Sequence, residues 1–238
     1  MRKVLYTLPL LSLFAAPLMA DDLDTLNDLN QAQFRSLSED LAAAVSYKAV
    51  SPAEPLGITG IDVGVEATST SLENTEAFDA ACSGCGTDTL VIPKLHLHKG
   101  LPASLDVGLM LGSVPGSNIR VSGVELRYAI LDGGVATPAL AVRASLSRLD
   151  GVDQLEMESR GLELTVSKGF TLLTPYAGIG RNWIDSSPTA DTGLTDEDFT
   201  QDKLFAGVNL NMGLVNLAFE GDRSGDATSY SAKLGFRF

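Results

Sequence analysis

A chain of 238 residues with a formal net charge of −13 is too acidic to suit a nucleic-acid partner. Its mean hydropathy is +0.14 and 45% of its residues are apolar, yet beyond residue 20 no apolar run is long enough for a membrane-spanning helix. If such a chain enters a membrane it does so as a barrel, because only helices and closed sheets satisfy the backbone in lipid.

Residues 1–20 read as a signal peptide. Arg2 and Lys3 supply a positive start, Val4 to Leu18 is almost wholly apolar, and Leu18-Met19-Ala20 ends on a small residue suited to cleavage before Asp21. Export is therefore expected, and loss of Arg2 and Lys3 would take the charge from −13 to −15.

Residues 21–52 carry a helical pattern. Leu23, Leu26, Leu37, Leu41, Ala44 and Val45 recur at three- and four-residue steps, and Ser36-Leu37-Ser38-Glu39 fits a capping box that starts a second helix after a kink near Gln33. Pro52 and Pro55 end it. Two settings stay open for this amphipathic helix: a plug inside a barrel, or a periplasmic or interfacial position beneath one.

From residue 55 to 238 the period changes to two. Ten segments alternate, beginning with Ile61, Val63, Val65 and Ala67 and ending with Tyr230, Ala232, Leu234, Phe236 and Phe238. Between the apolar positions lie Asp62, Glu66, Glu125, Arg127, Arg143, Glu163, Lys233 and Arg237, so one face is greasy and the other carries both signs of charge. Tight turns are expected at Lys99-Gly100, Asp132-Gly133-Gly134, Lys168-Gly169 and Met212-Gly213. They alternate with longer connections, among them 69–89 and 185–202. The expected fold is all-β, an antiparallel up-and-down transmembrane β-barrel of about ten strands, with eight or twelve as alternatives. An even count places both chain ends on the periplasmic side.

The last segment, with Tyr230, Leu234, Phe236 and Phe238 in step, resembles the terminal strand by which Gram-negative outer-membrane proteins are recognised for insertion. The chain as a whole resembles the small outer-membrane β-barrels of those bacteria. That resemblance implies residence in the cell outer membrane, with the bilayer, lipopolysaccharide and the assembly machinery as partners.

Cys82 and Cys85 are the only cysteines and lie in the first long connection. In an oxidising compartment they should close a small structural disulfide; a redox role is the alternative, and zinc lacks two further ligands. His96 and His98 share one face beside Lys94, directed into the lumen by Leu95 and Leu97 near the Lys99-Gly100 turn. Metal binding or acid/base work is conceivable there, against a plain polar lining. No catalytic residue, metal or cofactor is expected. Glu125 should lie diagonal to Arg143, and closure should bring Asp62 and Glu66 beside Lys233 and Arg237. Gly64, Gly108, Gly123, Ala139, Ala141 and Gly207 face inward and leave volume to be filled.

The function expected is non-catalytic: a narrow or gated passage for small solutes, or a structural or interaction protein of the envelope. A barrel enzyme acting on lipid or peptide, and a soluble periplasmic ligand-binding barrel, are the alternatives.

Overall fold

The computed structural model describes residues 22–83, 85–134 and 136–238; the expected signal peptide lies outside them. Ten strands follow one helical segment: β1 (Ile61–Ser71), β2 (Thr89–Leu101), β3 (Leu105–Ser113), β4 (Arg120–Asp132), β5 (Ala139–Asp150), β6 (Leu155–Ser167), β7 (Leu173–Pro188), β8 (Glu197–Met212), β9 (Val215–Ser224) and β10 (Ala227–Arg237). Each pairs antiparallel with its chain neighbours, and β1 pairs with β10 to close the barrel. Closure sets Asp62 opposite Arg237 and Glu66 opposite Lys233.

The strict alternation decides which face is out. Val65, Leu109 and Leu204 are 57%, 51% and 62% exposed, whereas Glu125 and Arg143, on the other face, are 4% and 2% exposed. A continuous band of exposed Leu, Val, Ile and aromatic side chains around a closed sheet is stable only in lipid, so the chain is a transmembrane barrel of the outer-membrane type. A soluble barrel would carry those side chains inside.

The N-terminal segment occupies the interior. α1 (Gln31–Val45) follows a single 3-10 turn at Leu26–Asp28. It starts at Asn30, whose side chain accepts from the Gln33 amide at 3.0 Å while the Gln33 side chain accepts from the Asn30 amide at 3.0 Å. The capping box thus sits six residues before Ser36–Glu39, and α1 runs through Gln33 without a second start. Asn with Gln three residues on satisfies the same orphan amides as Ser with Glu. Glu39 instead pairs with Arg35 at 2.8 Å along the helix. A second short helix, α2 (Thr75–Ala81), lies in the β1–β2 connection.

Three expectations about the connections are corrected. Lys99 and Gly100 lie within β2, and the chain reverses at 102–104, where Ala103 and Ser104 take φ of 62° and 57°. Gly100 is needed for close approach: a Cβ there would strike the Gly57 carbonyl, and its amide donates to the Gly60 carbonyl at 3.0 Å. The connection expected over 185–202 is mostly strand, since β7 and β8 run 16 residues each and project beyond the lipid band against the start of α1. The last connection, expected to be a longer one over 222–228, is a two-residue turn at Gly225 and Asp226.

The placement of the chain ends is corrected as well. β1 begins and β10 ends at the end of the barrel with the 102–104 and 213–214 turns, but residue 23 lies at the opposite, loop end. There the Leu23 amide donates to Asn118 Oδ1 at 3.2 Å and the Leu26 amide to Gln154 Oε1 at 2.9 Å. Residues 23–56 therefore thread the lumen from the loop end to the turn end before entering β1.

Candidate functional site

Two chemically different halves make up the lumen. Toward the loop end the wall is apolar: Ile92, Met110, Val121, Leu149, Met157 and Ile184 point inward and pack against Phe34, Leu37, Leu41 and Val45 of α1 and against Phe78 of α2. The sequence predicts polar inward positions throughout, so this half departs from expectation. At Leu149 and Met157 the outward neighbours are Arg148, Asp150, Glu156 and Glu158, so the apolar side has moved from lipid to lumen, whereas Met110 lies inward between the lipid-facing Leu109 and Leu111. Phe34, Leu37, Leu41 and Phe78 are fully buried. Asp40 ties the two helices together by accepting from the Glu73 and Asn74 amides at 3.2 and 2.8 Å. Burial pushes the Asp40 carboxyl up, against the opposing pull of those amides.

Toward the turn end the wall is charged. Among the described residues, buried carboxylates come from Asp62, Glu66, Asp106, Glu125, Glu163, Glu220 and Asp222. Buried wall cations are Lys94, Arg127, Arg143, Lys203 and Lys233, with Arg237 partly exposed at the rim. The threaded segment adds Lys48, whose Nζ lies 2.8 Å from Asp222 Oδ1 with both side chains inaccessible. Its positive charge balances this set of seven acids against seven bases.

A chain of ion pairs crosses the strands. Arg143 Nε approaches Glu125 Oε2 at 3.0 Å, and its Nη1 donates to Glu163 Oε2 at 3.0 Å. Glu163 also accepts from Lys203 Nζ at 2.7 Å. Arg127 makes a fork onto Asp106 at 2.8 and 2.9 Å. Asp62 joins Arg237 at 2.8 Å and lies 3.7 Å from Lys233. Glu66, register partner of Lys233, turns instead to β2, meeting Lys94 at 3.2 Å and His96 Nε2 at 2.7 Å. Lys203, Asp222 and the threaded Lys48 belong to this network without having been singled out from the sequence. For Lys203 and Asp222 their inward register was the only available signal.

The wall reads the main chain of the threaded segment. Arg127 Nη1 donates to the Pro52 carbonyl at 2.8 Å, Arg143 Nη2 to the Ser51 carbonyl at 3.3 Å, and Lys203 Nζ to the Tyr47 carbonyl at 3.1 Å. The Ala53 amide donates to Ser167 Oγ at 3.1 Å and the Leu56 amide to Asp106 Oδ1 at 3.0 Å. Tyr47 lies where the wall has no side chain: a Cβ on Gly108 would stand 2.7 Å from its hydroxyl, and one on Gly123 2.9 Å from its ring. The small inward residues thus accommodate this segment.

His96 and His98 stack with ring centroids 5.7 Å apart. His98 Nε2 lies 3.2 Å from the Tyr47 hydroxyl and 3.4 Å from Glu125. Both rings are buried inside the barrel. Cys82 and Cys85 are joined as a disulfide with Cα atoms 5.7 Å apart, at the C-terminal end of α2. Asp79 lies beside them, but sulfurs committed to each other offer no thiolate to a metal. Tyr230, Leu234, Phe236 and Phe238 all face outward on or just beyond β10.

No protein-family model and no curated protein matches the chain. Solved structures similar to it include the KdgM porin in complex with disordered oligogalacturonate, at 8% identity over 76% of this chain and 99% of that one, with a TM-score of 0.38. The β domain of the Bordetella autotransporter BrkA is 15% identical over 75% of this chain and 99% of its own, with a TM-score of 0.42. The outer membrane protein OprG from Pseudomonas aeruginosa is 15% identical over 79% and 99%, with a TM-score of 0.36. The likeness extends to barrel architecture alone.

Proposed function

We infer that this protein is a non-catalytic outer-membrane barrel that forms a gated passage for small solutes, held shut by its own residues 23–56. The observation that carries this reading is the contrast between the halves of the lumen. A barrel serving only as an anchor would be most stable with the same apolar packing along its whole axis, because buried ion pairs seldom improve on a well-packed apolar core. The turn-end half instead carries a balanced charged lining in which Asp62 Oδ1, Lys233 Nζ, Glu125 and Arg143 Nε lack aligned hydrogen bonds. Such a wall tolerates water once the threaded segment withdraws; the loop-end half acts as the seal. The chain's two histidines are both buried in the lumen, so no histidine stands at the loop rim to serve a nucleophile as base.

Planar-bilayer recording tests this. The full-length chain should be nearly silent. Leu41→Asp, which places a charge in the apolar seal, should produce ion-conducting openings while the barrel still shows heat-modifiable mobility on a gel. An intact barrel that stays silent both in Leu41→Asp and after deletion of residues 22–50 would favour the structural role in the envelope instead.

A further inference from the structure

The outer wall over β6 to β9 differs from the rest of the lipid-facing surface. A groove of about 660 Å³ lies there, floored by Leu162, Ile179 and Leu204 and bordered by Arg181, Trp183 and Arg223. Next to its floor, toward the turn end, the outward register positions are small: Ala177, Ala206 and Gly221 stand side by side on three strands. On the loop side the order of chemistry is reversed. Arg160, Arg181 and Arg223 sit at the upper border of the greasy band, and beyond them Glu158, Asp185 and Asp198 lie directly opposite one another on β6, β7 and β8. Like charges facing each other across strands are destabilising unless something bridges them; Arg160 Nη2 does this for Asp185 at 3.0 Å and Glu158 at 3.6 Å, and Asp198 stands opposite Asp185 on the far side.

We propose that this face is a binding site for a phosphorylated glycolipid of the outer leaflet. Acyl chains fill the groove, Arg181 and Arg223 hold a phosphate, and a divalent cation or sugar hydroxyls meet the acidic row above. Position already restricts the occupant to a lipid, since the groove opens onto the bilayer. Longer connections face outward in such barrels, which puts the arginines at outer-leaflet headgroup level. Arg181 is oriented through Nε by Asp202 at 2.7 Å, and Arg223 through Nη2 by Asp226 at 3.0 Å. Both arginines are more than half exposed, which leaves donors free for an anion. A glycerophospholipid supplies a phosphate and chains but few hydroxyls for the carboxylates, so the layered chemistry favours the sugar-based lipid. This proposal rests on the membrane placement and is independent of whether the lumen opens, so its failure would leave the gated passage untouched.

The chain's single tryptophan, Trp183, borders the groove and reports on it directly. Full-length protein in detergent would be titrated with diphosphorylated lipid A in mixed micelles containing Mg²⁺, following Trp183 emission, with native mass spectrometry counting retained lipid. Saturable binding is expected, at least tenfold weaker for phosphatidylglycerol and for dephosphorylated lipid A. The double variant Arg181→Ser/Arg223→Ser, checked for heat-modifiable mobility, should lose tenfold or more in affinity. Equal binding of all three lipids, or an unchanged titration in the double variant, would overturn the proposal.

Discussion

The loop-end and turn-end halves of the lumen are built from the same ten strands and filled by one continuous segment, yet they are held by different physics. At the loop end α1 docks through Phe34, Leu37 and Leu41, as in the core of a soluble domain. At the turn end the stretch from Tyr47 to Leu56 is gripped through its carbonyls and amides by two arginines, one lysine, one serine and one carboxylate. The first mode is non-directional and excludes water; the second is directional and survives it. A segment fixed in both ways at once is held independently at each end, because neither salt nor a local opening at one end frees the other.

Substitutions that break one mode and spare the other sharpen this contrast. Arg143→Met should have the largest effect: it leaves Glu125 and Glu163 buried without their shared cation, and loss of one partner of a buried ion pair costs about 3–5 kcal/mol. Urea unfolding in micelles should show a correspondingly lower midpoint, and the loss should shrink when Glu125→Gln is added. Leu41→Ala empties part of the apolar half and should cost about 2–5 kcal/mol by the same assay, with no rescue from any charge substitution. Gly108→Val overpacks the space shared by His98, Glu125 and Tyr47 and should cost about 1–3 kcal/mol; Tyr47→Ala in the same chain should restore only a part of it, because His98 and Glu125 stand as close. Smallest is Arg35→Ala at the rim, where a half-exposed guanidinium meets Glu39, Glu197 and the Phe199 ring 4.2 Å away; a change of about 0.5–1 kcal/mol is expected. An effect of Arg35→Ala as large as that of Leu41→Ala would show that the seal is made at the rim instead of in the core.

Much of the barrel was legible before the structure. A count of about ten strands, with eight and twelve still open, the lipid face of Val65, Leu109 and Leu204, and the inward face of Glu125 and Arg143 follow from alternation, which is a local property of each strand. The diagonal approach of Arg143 to Glu125 also followed, because it depends on the register of one hairpin. Glu66 was assigned to Lys233 by the same reasoning and turned to Lys94 and His96, since two flanking strands compete for one carboxylate and register alone does not choose between them. Gly100 was read as a turn residue when its lack of a side chain serves a contact with Gly57, which a sequence pattern does not distinguish.

Sequence alone pointed to a closed, greasy-skinned cylinder with charges turned inward, because period-two patterning without a helix-length apolar run beyond residue 20 leaves a barrel as the way into lipid; the exposed outer face then decided against a soluble barrel. Tertiary structure alone decided that residues 23–56 run down its axis, that the loop-end lumen is apolar, and that Lys48 completes the charge balance at Asp222. Those outcomes depend on contacts between positions as much as 174 residues apart, whose free energy arises only when the wall has closed around the segment it holds.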